Sequence, residues 1–322
     1  MKMKTGLAAL VTALLLLPGI AQADELPMKA EAPITLTSPS AILCEASTGQ
    51  VIFEKNADER RPVASVNKVM TILLTLEAVD EGRVSLEDQV TVSPRAASMG
   101  GSQAFLDAGE RYKLSELLKT VIVASANDSA VALAEHLAGT EESFVRLMNT
   151  RAEELGLTNT HYANCTGLPA QEHYTTARDV AKLSAQLDLH PIYYRYSTIW
   201  MDEIKHRGGR VTSLTNTNRL IRFYPGCDGY KTGSTNEARY CVSATAKKEG
   251  MRLIAVVLGT PAGQTRFDEA RAMLEYGFAN VQLVTPIAQG QALDMTVPVR
   301  LGGRDEVSVL SGGTCSLLER RG

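Results

Sequence analysis

Strand-like segments stand at both ends of a long helical stretch, and this order restricts the folds open to the chain. Residues 41–56 read as a β-hairpin with a turn at Ser47-Thr48-Gly49. Strand character returns late in the chain, at residues 230–234, 240–246 and 252–258. An early hairpin and late strands, with helices between them, predict one antiparallel sheet closed by sequence-distant segments. The predicted fold class is therefore α/β, in the α+β sense.

Helical patterns fill the region between these strands. Ser65 opens a segment that is apolar on most of its surface and is closed by Gly82, as expected for a helix buried inside a domain. Thr176 and Asp179 have the spacing of a capping box. Further helices are predicted at residues 114–124, 129–137, 142–155, 176–187 and 266–278. We expect these helices to flank the sheet and to include an inserted helical subdomain.

The first residues indicate export. Lys2 and Lys4 precede an apolar run over residues 7–17, and Ala21-Gln22-Ala23 offers a small-x-small cleavage site, so residues 1–23 are predicted to be a signal peptide. The alternative is a retained membrane anchor, for which the run is short. We expect the protein in the periplasm, or at the outer face of the cytoplasmic membrane or cell wall.

The remaining chain is predicted to form two domains. Residues 34–280 hold the hairpin, the helices and the late strands. Residues 281–322 change to short apolar and polar alternation between Gly-rich turns, which is typical of a small β-rich domain.

Composition argues against nucleic-acid, metal and cofactor partners, but it does not decide whether a disulfide forms. The net charge is −3 and no dense Lys/Arg run follows the predicted signal peptide, so nucleic acid is not an expected partner. The histidines and cysteines lack metal-ligand spacing, so neither a metal nor a cofactor is expected. There are five cysteines, and Cys227 and Cys241 flank a predicted strand closely enough for a disulfide, although nothing requires one.

Three short polar clusters carry the chemistry. They are Ser65-Val66-Asn67-Lys68, Ser125-Ala126-Asn127 and Lys231-Thr232-Gly233, in that order along the chain. Each is a weak signal alone. Together they supply a nucleophile, its base, a proton relay and an anion clamp, which is a full set for acyl transfer through a serine ester.

The first cluster pairs an alcohol with an amine. Lys68 lies three residues after Ser65 and hence on the same helix face. If the helix is buried, desolvation lowers the lysine pKa, and a neutral amine can take the serine proton. The alternative is a Ser N-cap followed by a solvated lysine.

The second cluster follows an apolar helix. A hydroxyl at Ser125 can hand a proton to a leaving amine, and the Asn127 side chain can bind a substrate amide. Alone, the same residues read as a helix stop with local capping.

The third cluster lies on a predicted strand. Lys231 and Thr232 suit a carboxylate, one by charge and the other by a directed hydroxyl. Gly233 lets another backbone or a ligand approach. The N–H of Ser234 and the N–H of Ser65 are predicted to form an oxyanion hole.

In these motifs the chain resembles the serine-type D-alanyl-D-alanine carboxypeptidases, which are the low-molecular-mass penicillin-binding proteins. The resemblance covers residues 34–281 and implies the penicillin-binding/β-lactamase-like transpeptidase fold. It rests on residues 46–49, 61–65, 68–71, 125–129, 155–157, 164–168, 176–179, 228–233 and 276–278.

Carried over residue by residue, the resemblance implies a catalytic trio and a substrate contact. Ser65 would be the acylated nucleophile, Lys68 its base and Ser125 the proton relay. Asn127 would contact the substrate amide.

The resemblance also implies a carboxylate clamp formed by Lys231, Thr232 and Arg266. For Arg266 the alternative is a plain surface charge at the start of a helix.

Two features depart from the family pattern. Ala238-Arg239-Tyr240 stands where the family commonly has Ala-Gly-aromatic. The last residues, 311–322, offer neither the rest of a β-rich domain nor an amphipathic helix, so the second domain is expected to be partial and membrane anchoring is not supported.

The resemblance implies removal of the terminal D-alanine from peptidoglycan stem peptides that end in D-Ala-D-Ala. β-Lactams would inhibit by acylating Ser65, and the biological role would be in peptidoglycan maturation and cell shape. One alternative is a class A-like β-lactamase, although the middle cluster is Ser-Ala-Asn and no Glu stands in a convincing context. The other alternative is a non-catalytic peptidoglycan-binding protein.

Overall fold

A five-stranded antiparallel sheet organises the protein. The computed structural model describes residues 34–299 and 305–321, so the predicted signal peptide lies outside the described residues. The strands are β1 Ser40–Glu45, β2 Val51–Lys55, β3 Gln89–Thr91, β4 Arg111–Lys113, β5 Met201–Lys205, β6 Val211–Thr215, β7 Cys227–Thr235, β8 Arg239–Lys248, β9 Met251–Thr260, β10 Val281–Ile287, β11 Ala292–Pro298, β12 Glu306–Leu310 and β13 Cys315–Arg320. The order in the main sheet is β2-β1-β9-β8-β7. The early hairpin therefore pairs with the late strands, which confirms the predicted closure.

Helices cover this sheet and continue beside it. They are α1 Lys68–Asp80, α2 Pro94–Ala97, α3 Leu114–Val123, α4 Asn127–Ala138, α5 Glu141–Glu154, α6 Ala177–Gln186, α7 Ile192–Ser197, α8 Leu220–Phe223 and α9 Thr265–Asn280. Short 3₁₀ turns span Ala64–Asn67, Leu187–Leu189 and Arg207–Gly209. Within the described residues, no helix is both long and apolar enough to cross a membrane.

Successive side chains on each strand point to opposite faces of the main sheet, and both faces are packed. Ile42, Ile254 and Val256 belong to the core that continues into the helices. Leu43 and Leu253 point the other way, against α9 at Gly277, where a Cβ would lie 2.5 Å from Leu253 Cδ1. A side chain at position 277 would therefore require the Leu253 side chain to move.

Helix α1 lies at the centre of the helical part and contacts α3, α4, α5 and α6. Val69, Met70, Leu73 and Leu76 are fully buried, as predicted for a helix that is apolar on most of its surface. The helix begins at Lys68 rather than at Ser65, because the preceding residues form a 3₁₀ turn. Helices α2 to α5 and the β3–β4 ribbon lie between the early hairpin and the late strands, in the region where an inserted helical subdomain is predicted.

The β5–β6 hairpin was not predicted from the sequence. Its residues are mostly polar and exposed, and only Ile204 and Leu214 are buried. A two-stranded ribbon with so few apolar residues lacks the alternation that marks a half-buried strand.

Cys227 and Cys241 do not form the disulfide that their spacing allowed. Both are free thiols. Cys227 pairs with Ala246 and Gly233 pairs with Cys241 in the β7–β8 register. The two cysteines are thus offset by six strand positions, or about 20 Å, whereas a disulfide needs Cα atoms within about 7 Å.

Four strands follow α9, in the region predicted to be β-rich. They form two separate ribbons, β10 with β13 and β11 with β12. Leu318 is buried and its N–H donates to Gln50 Oε1 at 2.8 Å, so the β10–β13 ribbon is joined to the β1–β2 turn. The domain boundaries themselves stay a prediction.

Candidate active site

Ser65 and Lys68 form the centre of the site. The ammonium nitrogen of Lys68 donates to Ser65 Oγ and to the carbonyl oxygen of Thr166, each at 2.8 Å. Lys68 is fully buried at the start of α1. Burial lowers its pKa from 10.5 to about 7, against the opposing influence of the Cys165 thiol and the Asp128 carboxylate. A sizeable share of the amine is therefore uncharged at neutral pH and able to accept a proton.

The Thr166 carbonyl is held in place by an asparagine. Asn164 Oδ1 accepts from Thr166 N at 3.1 Å, Thr166 Oγ1 at 3.0 Å and Gly167 N at 2.7 Å. Gly167 has a φ of +84°, and a Cβ there would lie 2.0 Å from Ala64 O. The turn therefore closes directly against the residue before Ser65. Its sequence, Asn-x-x-Gly, belongs to the family resemblance but predicts no site role.

Ser125 lies in the short connection between α3 and α4, and Asn127 is the first residue of α4. Ser125 has a φ of 65°, and its buried Oγ has no hydrogen-bond partner among the described residues. Asn127 Nδ2 donates to Gly100 O at 2.6 Å, whereas its buried Oδ1 has no partner in the described part of the chain. Two buried, unpaired polar atoms are costly in a folded protein unless a ligand supplies their partners. A strained backbone at the same place points to a functional site.

Lys231 is buried in the middle of β7. Its ammonium nitrogen donates to the carbonyl oxygen of Thr232 at 3.3 Å. Burial, followed by the positive charges of Lys68 and Arg266, holds the pKa of Lys231 well below its usual value. Thr232 Oγ1 donates to Thr217 Oγ1 at 2.7 Å. The two lysines are therefore neighbours, and a bound anion would relieve their mutual repulsion.

Gly233 brings β7 against the nucleophile. A Cβ at this position would lie 2.5 Å from Val63 O, 2.7 Å from Ser65 N and 2.8 Å from Val66 N. Only glycine allows this approach. The third cluster is thus packed directly on the first one.

Arg266 lies in the first turn of α9 and is partly buried. Its Nη1 donates to Gly233 O at 2.9 Å and to Cys241 O at 3.3 Å. Its guanidinium stacks 4.7 Å from the ring centre of Phe267, and its Nε is buried without a partner among the described residues. Arg266 therefore binds the backbone of β7 and β8 beside the site, and the alternative of a plain surface charge does not describe it.

Comparisons with known proteins agree with this geometry. The model of a family described as D-alanyl-D-alanine carboxypeptidase matches residues 27–262. The chain belongs to this family. D-alanyl-D-alanine carboxypeptidase DacF of Bacillus subtilis is 41% identical over 283 residues, covering 88% of this chain and 72% of the relative. DacC of Escherichia coli is 37% identical over 300 residues, covering 89% of this chain and 74% of the relative.

Solved structures of penicillin binding proteins show the same fold. Penicillin binding protein 5 of Haemophilus influenzae superposes with a TM-score of 0.82 at 29% identity, covering 90% of this chain and 84% of that one. Penicillin binding protein 6B of Escherichia coli gives a TM-score of 0.77 at 30% identity, covering 90% of this chain and 86% of that one. The predicted penicillin-binding protein fold is therefore confirmed.

Arg239, which departs from the D-alanyl-D-alanine carboxypeptidase pattern, has an unusual backbone conformation. Its φ is 56°, in the left-handed region that favours glycine. Its side chain is exposed. The backbone shape that a family glycine would adopt easily is thus kept here by an arginine, at the turn that leads out of β7.

Proposed function

We propose that this protein is a serine-type D-alanyl-D-alanine carboxypeptidase, that it binds penicillin, and that it removes the terminal D-alanine from peptidoglycan stem pentapeptides. The observation that carries the proposal is the 2.8 Å hydrogen bond between Ser65 Oγ and the buried amine of Lys68, in a chain of this family. Its place would be in peptidoglycan maturation and cell shape.

Acylation starts at Ser65. The uncharged amine of Lys68 removes the hydroxyl proton while Oγ attacks the carbonyl carbon of the penultimate D-alanine. The negative charge on the carbonyl oxygen is stabilised by the N–H groups of Ser65 and Ser234. The close contact of Gly233 with Ser65 N supports this pairing, because it puts Ser234 beside the nucleophile.

Breakdown of this intermediate requires a proton on the leaving amine. The Ser125 hydroxyl gives its proton to the D-alanine nitrogen and receives the proton held by Lys68, and the C–N bond breaks to leave an ester on Ser65 and an uncharged amine on Lys68. Its buried Oγ without a protein partner is suited to that contact. Water then attacks the ester with Lys68 as base, the Ser65 oxygen takes back a proton, and the shortened peptide leaves with a free carboxylate.

Binding is assigned to groups around this centre. Asn127 Oδ1, which is buried and unpaired among the described residues, accepts from a substrate amide. Lys231 and Thr232 hold the terminal carboxylate, which offsets the repulsion between the two buried lysines. Arg266 completes this clamp by fixing the β7 backbone and adding positive charge.

The compartment and domains belong to the same proposal. Residues 1–23 export the chain, and residues 34–280 act as the catalytic domain in the periplasm or at the outer face of the cytoplasmic membrane. Residues 281–322 form a β-rich domain beside it, which is supported by the two ribbons after α9.

The test combines penicillin labelling with peptide hydrolysis. We expect the purified protein to be labelled by a fluorescent penicillin and to release D-alanine from diacetyl-L-Lys-D-Ala-D-Ala. Ser65→Ala is expected to lose both, whereas Ser213→Ala, an exposed serine on β6, keeps both. Labelling of the Ser65→Ala protein would refute the nucleophile.

Two other results would favour the alternatives. Folded wild-type protein that takes up penicillin but releases no D-alanine would indicate a peptidoglycan-binding protein. Sustained rapid turnover of nitrocefin would indicate a β-lactamase.

A further inference from the structure

The turn formed by residues 164–168 covers the amine of Lys68. Its residues Cys165 and Thr166 are buried, and the carbonyl oxygen of Thr166 accepts from the Lys68 ammonium nitrogen at 2.8 Å. Desolvation keeps a share of this amine uncharged at neutral pH. The base function of Lys68 therefore depends on the 164–168 turn staying closed over it.

Asn67 joins the 164–168 turn to the 3₁₀ turn that carries the nucleophile. It lies between Ser65 and Lys68 in sequence and is buried. Its Nδ2 donates to the carbonyl oxygen of Asn164 at 3.1 Å. A Cβ on Gly167 would lie 2.9 Å from Asn67 Cβ, so the two turns are in close contact. With Nδ2 bound to a carbonyl, Asn67 Oδ1 needs a donor of its own, because a buried acceptor without a partner is costly.

His173 is that donor. Its Nε2 lies 2.9 Å from Asn67 Oδ1, and its Nδ1 lies 3.3 Å from the backbone nitrogen of Ala163. A backbone N–H can only donate, so Nδ1 of the neutral ring is the acceptor and Nε2 carries the hydrogen. The imidazole is therefore fixed in the tautomer that donates to Asn67.

The surroundings of His173 keep its imidazole uncharged. Burial, followed by the positive charge of His161, lowers the pKa of His173 to about 4. The Tyr162 ring packs edge-on at 6.2 Å between ring centres, and burial raises the pKa of its phenol, which stays protonated. Glu237 lines the same cavity as His173. Between pH 6 and pH 9 His173 therefore does not titrate and keeps donating to Asn67.

We propose that His173 is a positioning residue of the reaction, which through Asn67 keeps the 164–168 turn closed over Lys68 and so keeps water away from the amine. The inference rests on the proposed function, because it concerns the base that activates Ser65. The effect passes through two hydrogen bonds, from His173 to Asn67 and from Asn67 to Asn164. Without the first bond the buried Asn67 acceptor is unpaired and the turn loosens. Water then solvates the ammonium form of Lys68 and raises its pKa.

Other titratable groups also face Lys68. Cys165 in the turn keeps its proton, because burial raises the pKa of its thiol. The carboxylate of Asp128 on α4 favours the charged amine, and Lys231 on β7 is a close neighbour. A substitution at His173 replaces none of these groups. A shift in the midpoint of acylation in such a variant therefore reports on the hydration of the two lysines.

The test measures the second-order rate constant for labelling by a fluorescent penicillin from pH 6 to pH 9. We expect His173→Ala to move the midpoint upward by about one pH unit, so that it reacts about 10-fold more slowly than wild type at pH 6 and about equally fast at pH 9. A loss of folded protein, or of a contact to the ligand, would instead lower the rate by the same factor at every pH. The pH dependence of the ratio thus separates positioning of the base from a merely structural role.

Further variants locate the effect. His173→Gln places an amide N–H where Nε2–H stands, and it should restore the wild-type midpoint. Asn67→Ala cuts the same link from its other side and should shift the midpoint as His173→Ala does, with no further shift in the double variant. The matched control is His136→Ala, a half-buried histidine on α4 that lies 3.9 Å from Asp88, and it should keep the wild-type profile.

Two failures can be told apart. A rate ratio between wild type and His173→Ala that is constant from pH 6 to pH 9, or a His173→Gln protein that behaves like His173→Ala, would overturn the positioning role and leave the carboxypeptidase function standing. If His173→Ala does not fold, the ratio for Asn67→Ala decides in the same way. Wild-type protein that is not labelled at any pH would overturn the proposed function and the positioning role together.

Discussion

The protonation state of Lys68 controls the first chemical step, and pH is the perturbation that tests it. Burial lowers the pKa of this amine from 10.5 to about 7. At 1.36 kcal/mol per pKa unit, the buried site disfavours the charged form by about 5 kcal/mol. This is much larger than the effect of an exposed ion pair, so desolvation is the dominant influence on Lys68.

The direction of the pH effect on acylation follows from the role of Lys68 as the base. At pH 6 about one tenth of the Lys68 amines are uncharged, and at pH 8 about nine tenths are. The rate constant for acylation of Ser65 should therefore rise about 10-fold between pH 6 and pH 8 and level off above that range. Because Lys231 is a close neighbour whose pKa is also lowered, the apparent midpoint belongs to both lysines.

The assay is the second-order rate of labelling by a fluorescent penicillin, measured by stopped samples at each pH. Penicillin keeps its carboxylate charged throughout, so the protein is the main titrating partner. Lys248→Gln, which changes a lysine that donates to Tyr224, should show the same profile. A flat profile between pH 6 and 8, or a midpoint above pH 9, would refute the desolvated base.

The same burial predicts how stability depends on pH. Between pH 7 and pH 10.5 the unfolded chain holds a proton on Lys68 that the folded chain has released. The unfolded state binds more protons there, so the Lys68 contribution to the free energy of unfolding increases with pH across this window.

Three further substitutions test the backbone around the site. Gly233→Ala puts a Cβ 2.5 Å from Val63 O, so we expect penicillin labelling to slow about 100-fold while the circular dichroism spectrum stays native; undiminished labelling would contradict the close approach. Asn164→Ala removes four hydrogen bonds in the turn that presents the Thr166 carbonyl, and the free energy of unfolding should fall by about 2–3 kcal/mol in urea titrations. Arg239→Gly relieves a φ of 56° and should raise the free energy of unfolding by about 1 kcal/mol; a lower melting temperature would count against strain there.

The main sheet and the buried helix could be predicted because their residues carry strong local signals. Residues 41–56 alternate around a Gly turn, and α1 is apolar on nearly every side. The start of α1 could not be placed, because Ala64 takes a φ of 49° and a 3₁₀ turn over Ala64–Asn67 precedes the helix, where Gly167 packs closely on Ala64.

The residue types of the candidate site could be predicted from the sequence. The contacts that hold these residues in place could not. Ser65, Lys68 and Lys231 stand in motifs that are weak signals alone but together, with Ser125-Ala126-Asn127, indicate acyl transfer. The carbonyl of Thr166 does not, because a backbone oxygen has no residue signature. The hydrogen bonds from Arg266 to the β7 backbone depend on a contact between α9 and a strand more than thirty residues earlier. Such contacts leave no periodic trace in a sequence.

Strand β1 has a consequence for how the chain reaches this structure. Leu43 pairs with Ala255, more than two hundred residues later, so the interior of the sheet forms only when almost the whole polypeptide is available. Until then Ala41, Ile42 and Leu43, which are fully buried in the finished protein, have only β2 as a paired strand. Pairing between residues so far apart in sequence makes folding slow, and it leaves an apolar strand exposed until folding is complete. A chain that emerges from its N-terminus must therefore be kept from aggregating until β9 arrives.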